Sequence, residues 1–361
     1  MALFFELLQV ALGNRDRLSQ IPSDEEWSDL YDESERQAVT GILLQGIDRL
    51  PLEQRPARVF LLQWIGVGQM IERQNRLLDE RCVELLGMLK KDGLYGTILK
   101  GQGIAQLYDK ELRSLRQSGD IDVYVDCGFK EALYVQEING LTVEGWDYKH
   151  AHLRIWEDTE VEVHYRVEVL LNLWKNRKLQ RWFQKHQDAL FCNLNHNVMM
   201  TPTVEFNVFY ILLHIYRHFL YEGVGMRQII DYYFVLRTIH GSQFTVQEYV
   251  EAVSEFGMER FARGLMWVMQ ETLEMNCEWM LWEPDEKEGE YILDEVMAGG
   301  NFGHHDQRLQ HGGSKLNTVK QVCRHNWHLM SHYSADVIWA PVWFVWHKYW
   351  KLKTKVLLAI R

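Results

Sequence analysis

One stretch of the chain breaks step with everything around it, and it limits the fold more than any other feature. From Phe4 to about Lys91, and again after about Thr201, apolar residues recur at the three- and four-residue spacing of amphipathic helices. Val59, Leu62, Ile65 and Met70, then Leu77, Leu78, Val83, Leu86, Met88 and Leu89, carry that pattern in the first region. At Asp92-Gly93 it stops, and short runs rich in β-branched residues follow: Thr97 to Leu99, Ile121 to Val125, Leu153 to Trp156 and Val161 to Tyr165. These read as strands. Helical stretches at Ile104 to Tyr108 and Phe129 to Ile138 separate them, the second ending at Asn139-Gly140, and the last two strands form a hairpin turning at Glu157-Asp158-Thr159. The expected fold is α+β, a small mixed sheet with helical flanks: an N-terminal helical region over 1–92, a core over 93–195 and a C-terminal helical region over 196–361.

Beyond the strands, helical apolar faces resume with Phe206, Phe209, Leu213, Ile215, Tyr216 and Phe219, and Gly223 to Gly225 separates this helix from another at Met226 to Leu236. A glycine-rich break from Gly299 to Gly313 reads as a surface loop. With 361 residues, 47% of them apolar, the chain is long enough for one large core or two modest ones, and only six prolines interrupt it. No internal repeat stands out.

The formal charge of −11 argues against a general nucleic-acid-binding surface, though it leaves room for a local basic pocket. Five cysteines, Cys82, Cys127, Cys192, Cys277 and Cys323, are scattered without a CxxC pair, which suggests neither a disulfide framework nor a zinc site and fits a cytoplasmic protein. The opening MALFFELLQVALGNRDRL is split by Glu6 and reads as an amphipathic helix rather than a signal peptide. The most apolar late run, Val337 to Trp346, is about half the roughly 20 residues a membrane span needs and contains Pro341, so no transmembrane segment is expected. From Trp339 to Arg361 the chain combines Trp339, Trp343, Trp346 and Trp350 with Lys348, Lys351, Lys353 and Lys355. Such a helix can make peripheral contact with an anionic membrane or dock a partner; packing of the tryptophans on the helical region is the more common outcome and the one expected.

The chemistry concentrates in GDIDVYVD, Gly119 to Asp126. Alternate side chains of a strand share a face, so Asp120 and Asp122 point together, about 7 Å apart, while Ile121 and Val123 face the core. Two such carboxylates repel unless cations lie beside them. In TEVEVHY, Glu160, Glu162 and His164 alternate with Val161 and Val163, and Glu162 laid beside the first strand completes a set of oxygen ligands suited to magnesium. Two ions roughly 3.5–4 Å apart could clamp an in-line phosphoryl displacement. Taken singly, a DxD at a strand edge is common by chance, and the Glu162 strand alone reads as a half-exposed edge. Their combination is what points to a site.

Upstream, TILKGQGIAQLY ends a strand at Lys100-Gly101 and opens a helix near Gly103. Glycines let backbone approach a phosphate, and a helix N-terminus offers N–H groups to an anion; an ordinary glycine turn is the other reading. Arg116, four residues before Asp120, offers either a bidentate phosphate fork or a structural ion pair, and Ser118 beside it reads as a turn residue. Arg227 presents the same choice, with Asp231 at i+4 as its ion-pair partner. His150, His152 and His164 fall on alternating hairpin positions, and His164 and His152 are candidates to support the acidic site. His214 and His218, in HIYRH, lack the glutamate of a zinc-protease helix and are not taken as metal ligands.

The succession LKG, RQSGDIDVYV and HLRIWEDTEVEVHYR resembles the polymerase-beta-like nucleotidyltransferase superfamily, in particular its branch of uncharacterised bacterial nucleotidyltransferases, and it also looks like the abortive-infection toxin and aminoglycoside adenylyltransferase branches. The likeness covers about Gly93 to Arg166 and extends more weakly through HIYRHFLYEGVGMRQIIDYYFVL. It implies that the sheet is a nucleotidyltransferase core and that Asp120, Asp122 and Glu162 are the catalytic residues and the ligands of Mg2+ or Mn2+. It further implies that Lys100, Gly101, Gln102, Gly103, Arg116, Ser118 and Arg227 form the nucleotide- and phosphate-binding set. ATP or another nucleoside triphosphate would be the substrate, and the acceptor a hydroxyl of a small molecule, a transfer RNA or a protein. Gly101-Gln102 departs from the Gly-Ser or Gly-Gly usual in the superfamily. Two other readings stand beside this one: a non-catalytic nucleotide- or partner-binding module on the same fold, and a toxin or defence enzyme modifying transfer RNA or protein.

Overall fold

The computed structural model describes residues 1–127, 143–191, 199–241, 245–303 and 328–359. The helix expected over Phe129 to Ile138, with its Asn139-Gly140 end, lies outside these residues, as do Cys192, Cys323 and positions 304–313 of the glycine-rich break. In chain order the helices and strands are α1 (Ala2–Leu12), α2 (Asp24–Arg36), α3 (Thr40–Arg49), α4 (Arg58–Lys91), β1 (Gly96–Ile98), α5 (Gln102–Ala105), α6 (Lys110–Arg113), β2 (Ile121–Val125), β3 (Val143–Trp146), β4 (His150–Leu153) and β5 (Val161–His164). They continue with α7 (Leu173–Lys185), α8 (Val204–Tyr221), α9 (Met226–His240), α10 (Gln247–Glu255), α11 (Glu259–Leu273), α12 (Glu286–Gly299) and α13 (Ala340–Ala359). The fold is α+β, mostly helical with one five-stranded mixed sheet.

Two compact units result: Met1–Glu80 with Ile104–Ser118 and Val204–Gln307, and Arg81–Gly103 with Gly119–Thr203 and Arg308–Arg361. The first is all helix. Its entry into α2 is fixed by a capping box, in which Ser23 Oγ accepts from Glu26 N at 3.2 Å and Glu26 Oε2 accepts from Ser23 N at 2.7 Å. Helix α8 shows an apolar face by sequence, yet it is buried nearly all round, as befits a helix at the centre of a core. Phe206, Phe209, Tyr210 and Tyr216 on this helix, with Tyr232 of α9 and Phe261 of α11, are among the largest fully buried side chains of the described residues.

Helix α4 corrects one expectation. Val59, Leu62 and Met70 fit the apolar pattern but remain exposed. The buried line is Trp64, Gly68, Ile71, Asn75, Leu78, Cys82, Leu85 and Leu89, an alternation of four and three residues that keeps one narrow seam inward along the helix. Two members of that seam, Gly68 and Asn75, are invisible to a hydrophobicity pattern. Asn75 belongs there because it donates to the carbonyls of Ser114 at 2.6 Å and Arg116 at 2.8 Å.

The second unit is built on the sheet, in the order β1-β2-β5-β4-β3. β2 and β5 are parallel, and every other neighbouring pair is antiparallel. Odd-numbered Ile121, Val123, Val125, Ala151, Leu153, Val161 and Val163 are buried, so the even-numbered positions form the other face. The expected hairpin exists, with its turn inside residues 154–160, but its first strand is His150–Leu153 instead of Leu153 to Trp156, and β3 was not anticipated. Histidines at alternate positions hide the strand pattern of HAHL. What starts β4 is an Asx turn, in which Asp147 Oδ1 accepts from Lys149 N at 2.6 Å and from His150 N at 2.9 Å.

The late tryptophans also differ from expectation. In place of the helical region they pack within the sheet unit: Trp343, Trp346 and Trp350 stand edge-on to Tyr148, Trp350 also meets Trp146, and Trp339 meets Trp174. No helix among the described residues is long and apolar enough to cross a membrane.

Candidate active site

Register decides the site. In the parallel pair, Asp122 lies opposite Glu162 and Tyr124 opposite His164; in the antiparallel pair, His152 lies opposite Glu162 and His150 opposite His164. Strand parity therefore places two carboxylates and three imidazoles on one face within two rungs. His164 Nε2 is 2.9 Å from Asp122 Oδ1 and 3.3 Å from Glu162 Oε2, so one buried ring bridges both acids. On the other side of Glu162, His150 Nδ1 is 3.0 Å from Oε2 and His152 Nδ1 is 3.6 Å from Oε1. Lys100, just after β1, completes the arrangement with Nζ 2.9 Å from Asp122 Oδ1.

Charge is distributed unevenly over these groups. Burial opposes ionisation of Asp122, but the Lys100 ammonium and the His164 hydrogen bond hold its carboxyl well below the usual carboxylate range. Glu162 is likewise depressed, burial being outweighed by the hydrogen bonds of His150 and His164. Burial opposes protonation of His164 too, and its bonds to Asp122 and Glu162 raise its pKa. His150 moves the other way, because burial disfavours its cation. Asp120 is left with the imbalance: the Asp122 charge, with burial adding to it, raises its pKa to about 6.

Among the described residues, two sets have ligand atoms within 4.8 Å of one another: Asp122, Glu162 and His164, and His150, His152 and Glu162. Asp120 belongs to neither set, though its titration registers the charges of Asp122, Lys100 and Glu162. Such mixed oxygen and imidazole donors suit a divalent cation.

The glycine loop has conformational and packing reasons of its own for glycine. Gly101 has φ of +50°, a left-handed conformation that turns the chain after Lys100. At Gly103 a Cβ would lie 2.6 Å from the Ile98 carbonyl oxygen, so close backbone packing alone requires glycine. Gln102 is buried. The helix expected to aim its N-terminus at an anion is only the single turn α5, and the Gly103 N–H already donates to the Lys100 carbonyl at 2.8 Å. A turn this short carries little of a helix dipole.

Of the two roles open to Arg116, the geometry displays the ion pair. Within the helical unit its Nε and Nη2 donate to Asp231 Oδ1 and Oδ2, each at 2.7 Å, and Nη1 donates to Ser118 Oγ at 2.9 Å. Tyr108 donates to the same Asp231 Oδ1 at 2.7 Å. Since Asp231 is occupied, the expected bridge from Arg227 does not form; Arg227 donates instead to the Gln117 carbonyl at 3.0 Å and to Asn301 Oδ1 at 3.4 Å. Tyr108→Phe deletes one hydrogen bond to a buried carboxylate that keeps its arginine. The loss should be about 1–2 kcal/mol, read as a lower urea midpoint at an unchanged m value.

The hairpin histidines gather as their spacing suggests. Lys100, expected at a phosphate, is also the counter-ion of Asp122, a role its motif did not announce. The signal available was a lysine ending one strand beside a DxD strand, which an antiparallel β1–β2 pair brings together.

The sheet thus aligns acidic side chains from neighbouring strands on one rung, a donor set suited to a divalent cation. The family model of uncharacterised nucleotidyltransferases matches residues 23–274, and the protein belongs to that family. The match takes in parts of both units, and membership supports a transferase activity of the nucleotidyltransferase kind. Searches among curated proteins and among solved structures find no match.

Proposed function

We propose that the protein transfers a nucleoside monophosphate from a nucleoside triphosphate to an acceptor hydroxyl, within the polymerase-beta-like branch of nucleotidyltransferases. The observation that carries this reading is the cross-strand pairing of Asp122 with Glu162 on the same face, with His164 bridging the two. The residues fit a divalent cation. Asp122, Glu162 and Asp120 supply more negative charge than Lys100 offsets, which is why Asp120 resists ionisation. Magnesium or manganese held by these carboxylates would supply positive charge to the triphosphate and lower the pKa of the acceptor hydroxyl.

The remaining work falls to side chains. In the reaction the acceptor oxygen bonds to the α-phosphorus, the bond from that phosphorus to the bridging oxygen breaks, and pyrophosphate departs with the electron pair. Glu162, its oxygens fixed by His164 and His150, is the group we assign to orient the acceptor hydroxyl, whose proton leaves to solvent. Lys100, held at the acidic cluster by Asp122, is assigned to the phosphates as the nearest fixed cation, and Gly101 sets the turn that presents it. Arg116 and Ser118 are given no phosphate role, because each is engaged by the other and Arg116 by Asp231.

The test is pyrophosphate release by purified protein with magnesium and each of the four ribonucleoside triphosphates, with label followed into cell-extract components. Metal-dependent release is expected. Tight nucleotide binding that ignores metal and yields no turnover would instead identify a non-catalytic binding module. A growth defect on expression that vanishes in Asp122→Ala would direct the search for the acceptor to transfer RNA or protein.

A further inference from the structure

Beyond the carboxylates, the sheet unit contains a second feature to which neither the family nor the proposed reaction assigns a role. A cavity of about 760 Å³ is walled by one side of α7, by the turn before β4, by the segment after β5 and by α13. Arg166, Arg177, Lys178 and Arg181 line it, together with Tyr148 and Trp346, and no carboxylate is among its lining residues. Four cations facing one cavity in a chain of net charge −11 are a local reversal of sign. α7 itself, LWKNRKLQRWFQK, has no acidic residue along its length. Arg177 and Arg181 are one helical turn apart on its exposed side and neighbours in space.

Two details say what such a cavity would hold. Guanidinium groups present paired donors that match phosphate oxygens. Aromatic surface lines the cavity beside the cations: the Arg166 guanidinium lies over the Tyr148 ring at 3.8 Å from the centroid while also donating to the Tyr148 carbonyl, and Trp346 stands edge-on to that ring at 4.8 Å. Cations that follow a phosphate, beside aromatic rings that accept a base, are how proteins grip single strands without reading sequence. The volume also lies within the range of small-ligand sites.

Position connects the cavity to the chemistry. Arg166 lies two residues beyond β5, which carries Glu162 and His164, and Tyr148 lies in the turn before β4, which carries His150 and His152. Four residues of chain reach at most about 14 Å. Arg166 and Glu162 are thus no farther apart along the backbone than one or two nucleotide units reach.

We propose that this basic, aromatic cavity binds the acceptor through a nucleotide phosphate and its base, the phosphate belonging either to a free mononucleotide or to the end of a single strand. The acceptor role rests on the transferase reading above; the binding does not. It is therefore measured without triphosphate or metal, by fluorescence anisotropy with labelled AMP and with a labelled single-stranded hexaribonucleotide at 50 mM salt, beside vesicles of anionic and of neutral phospholipid. Binding of AMP, displaced by unlabelled AMP, assigns a small acceptor; binding of the hexanucleotide alone assigns a strand. With three phosphates engaged, the strand's affinity should fall about 20-fold between 50 and 200 mM salt. Arg177→Glu with Arg181→Glu, both exposed positions, should weaken either complex at least tenfold with an unchanged thermal melt. Trp346→Ala should weaken the hexanucleotide complex and leave its salt slope as it was. No binding of either probe, binding that the paired charge reversal leaves intact, or a preference for anionic vesicles over both probes overturns the proposal. If nucleotidyl transfer fails its own test while these complexes form, the cavity stands and only the acceptor role is lost.

Discussion

Asp122→Asn should reduce nucleotidyl transfer by at least about 10³-fold and destabilise the protein in the same stroke. Both effects have one source. Asp122 is the most deeply buried carboxylate of the cluster: Lys100 Nζ and His164 Nε2 each lie 2.9 Å from its Oδ1, and its side chain is 3% exposed. An amide there leaves a buried ammonium with only the more distant Asp120 and Glu162 charges to answer it. Breaking a buried ion pair by removing one partner costs about 3 kcal/mol or more. In a two-state melt the variant should unfold at a clearly lower temperature, and the proportion of active protein, counted by folded fraction, should not account for the lost rate. A variant as stable as the parent would mean that Lys100 is not held by Asp122.

Asp120→Asn should have the opposite effect on stability while also abolishing transfer. Asp120 titrates near 6 in the folded protein against an ordinary value of 3.8, chiefly because of the charge on Asp122. The sign follows from linkage: the folded state holds the proton more tightly than the unfolded chain, so stability is greatest below about pH 4 and falls as pH rises through 6. At neutral pH, a carboxyl displaced this far upward costs the folded state up to about 3 kcal/mol when it ionises. Asparagine removes that cost. The metal-free variant should therefore melt above the parent at pH 7, with the gap narrowing from pH 6 downward and closing near pH 4. A charge retained at such a cost is expected of a functional group, because stability and activity then pull in opposite directions. Equal melting of variant and parent at pH 7 would mean that the Asp122 charge does not weigh on Asp120.

How much of this was legible in the residues alone depends on what each feature requires. The break at Asp92-Gly93 announced the sheet, because a change of period needs only local sequence. The shared face of Asp120 and Asp122 followed from parity, and so did that of Glu162 and His164. Register did not. That Asp122 meets Glu162 rung for rung depends on β2 and β5 pairing in parallel across an intervening hairpin, which no local pattern encodes. β3 escaped notice, and β4 was misplaced by a few residues, since HAHL has histidines where a half-buried strand usually shows small polar residues. The α4 seam was misread because Gly68 and Asn75 belong to it while exposed Val59, Leu62 and Met70 do not.

The arginines behave in a related way. Arg116 sits in a motif whose resemblance suggested phosphate, but Asp231, over a hundred residues later in the chain, claims its fork. Arg177 and Arg181 sit in no motif, yet they face a cavity. Both donors of the Arg116 fork lie 2.7 Å from Asp231 oxygens, a pairing that spacing along the chain does not reveal.

Whether Asp122 and Glu162 share one cation site is tested most directly by anomalous diffraction from crystals soaked with manganese and a non-hydrolysable triphosphate. The expected result is an anomalous peak coordinated by oxygens of both carboxylates, with triphosphate oxygens completing the shell. A peak bound by only one of them, or triphosphate seated elsewhere with Lys100 still on Asp122, would contradict a shared site.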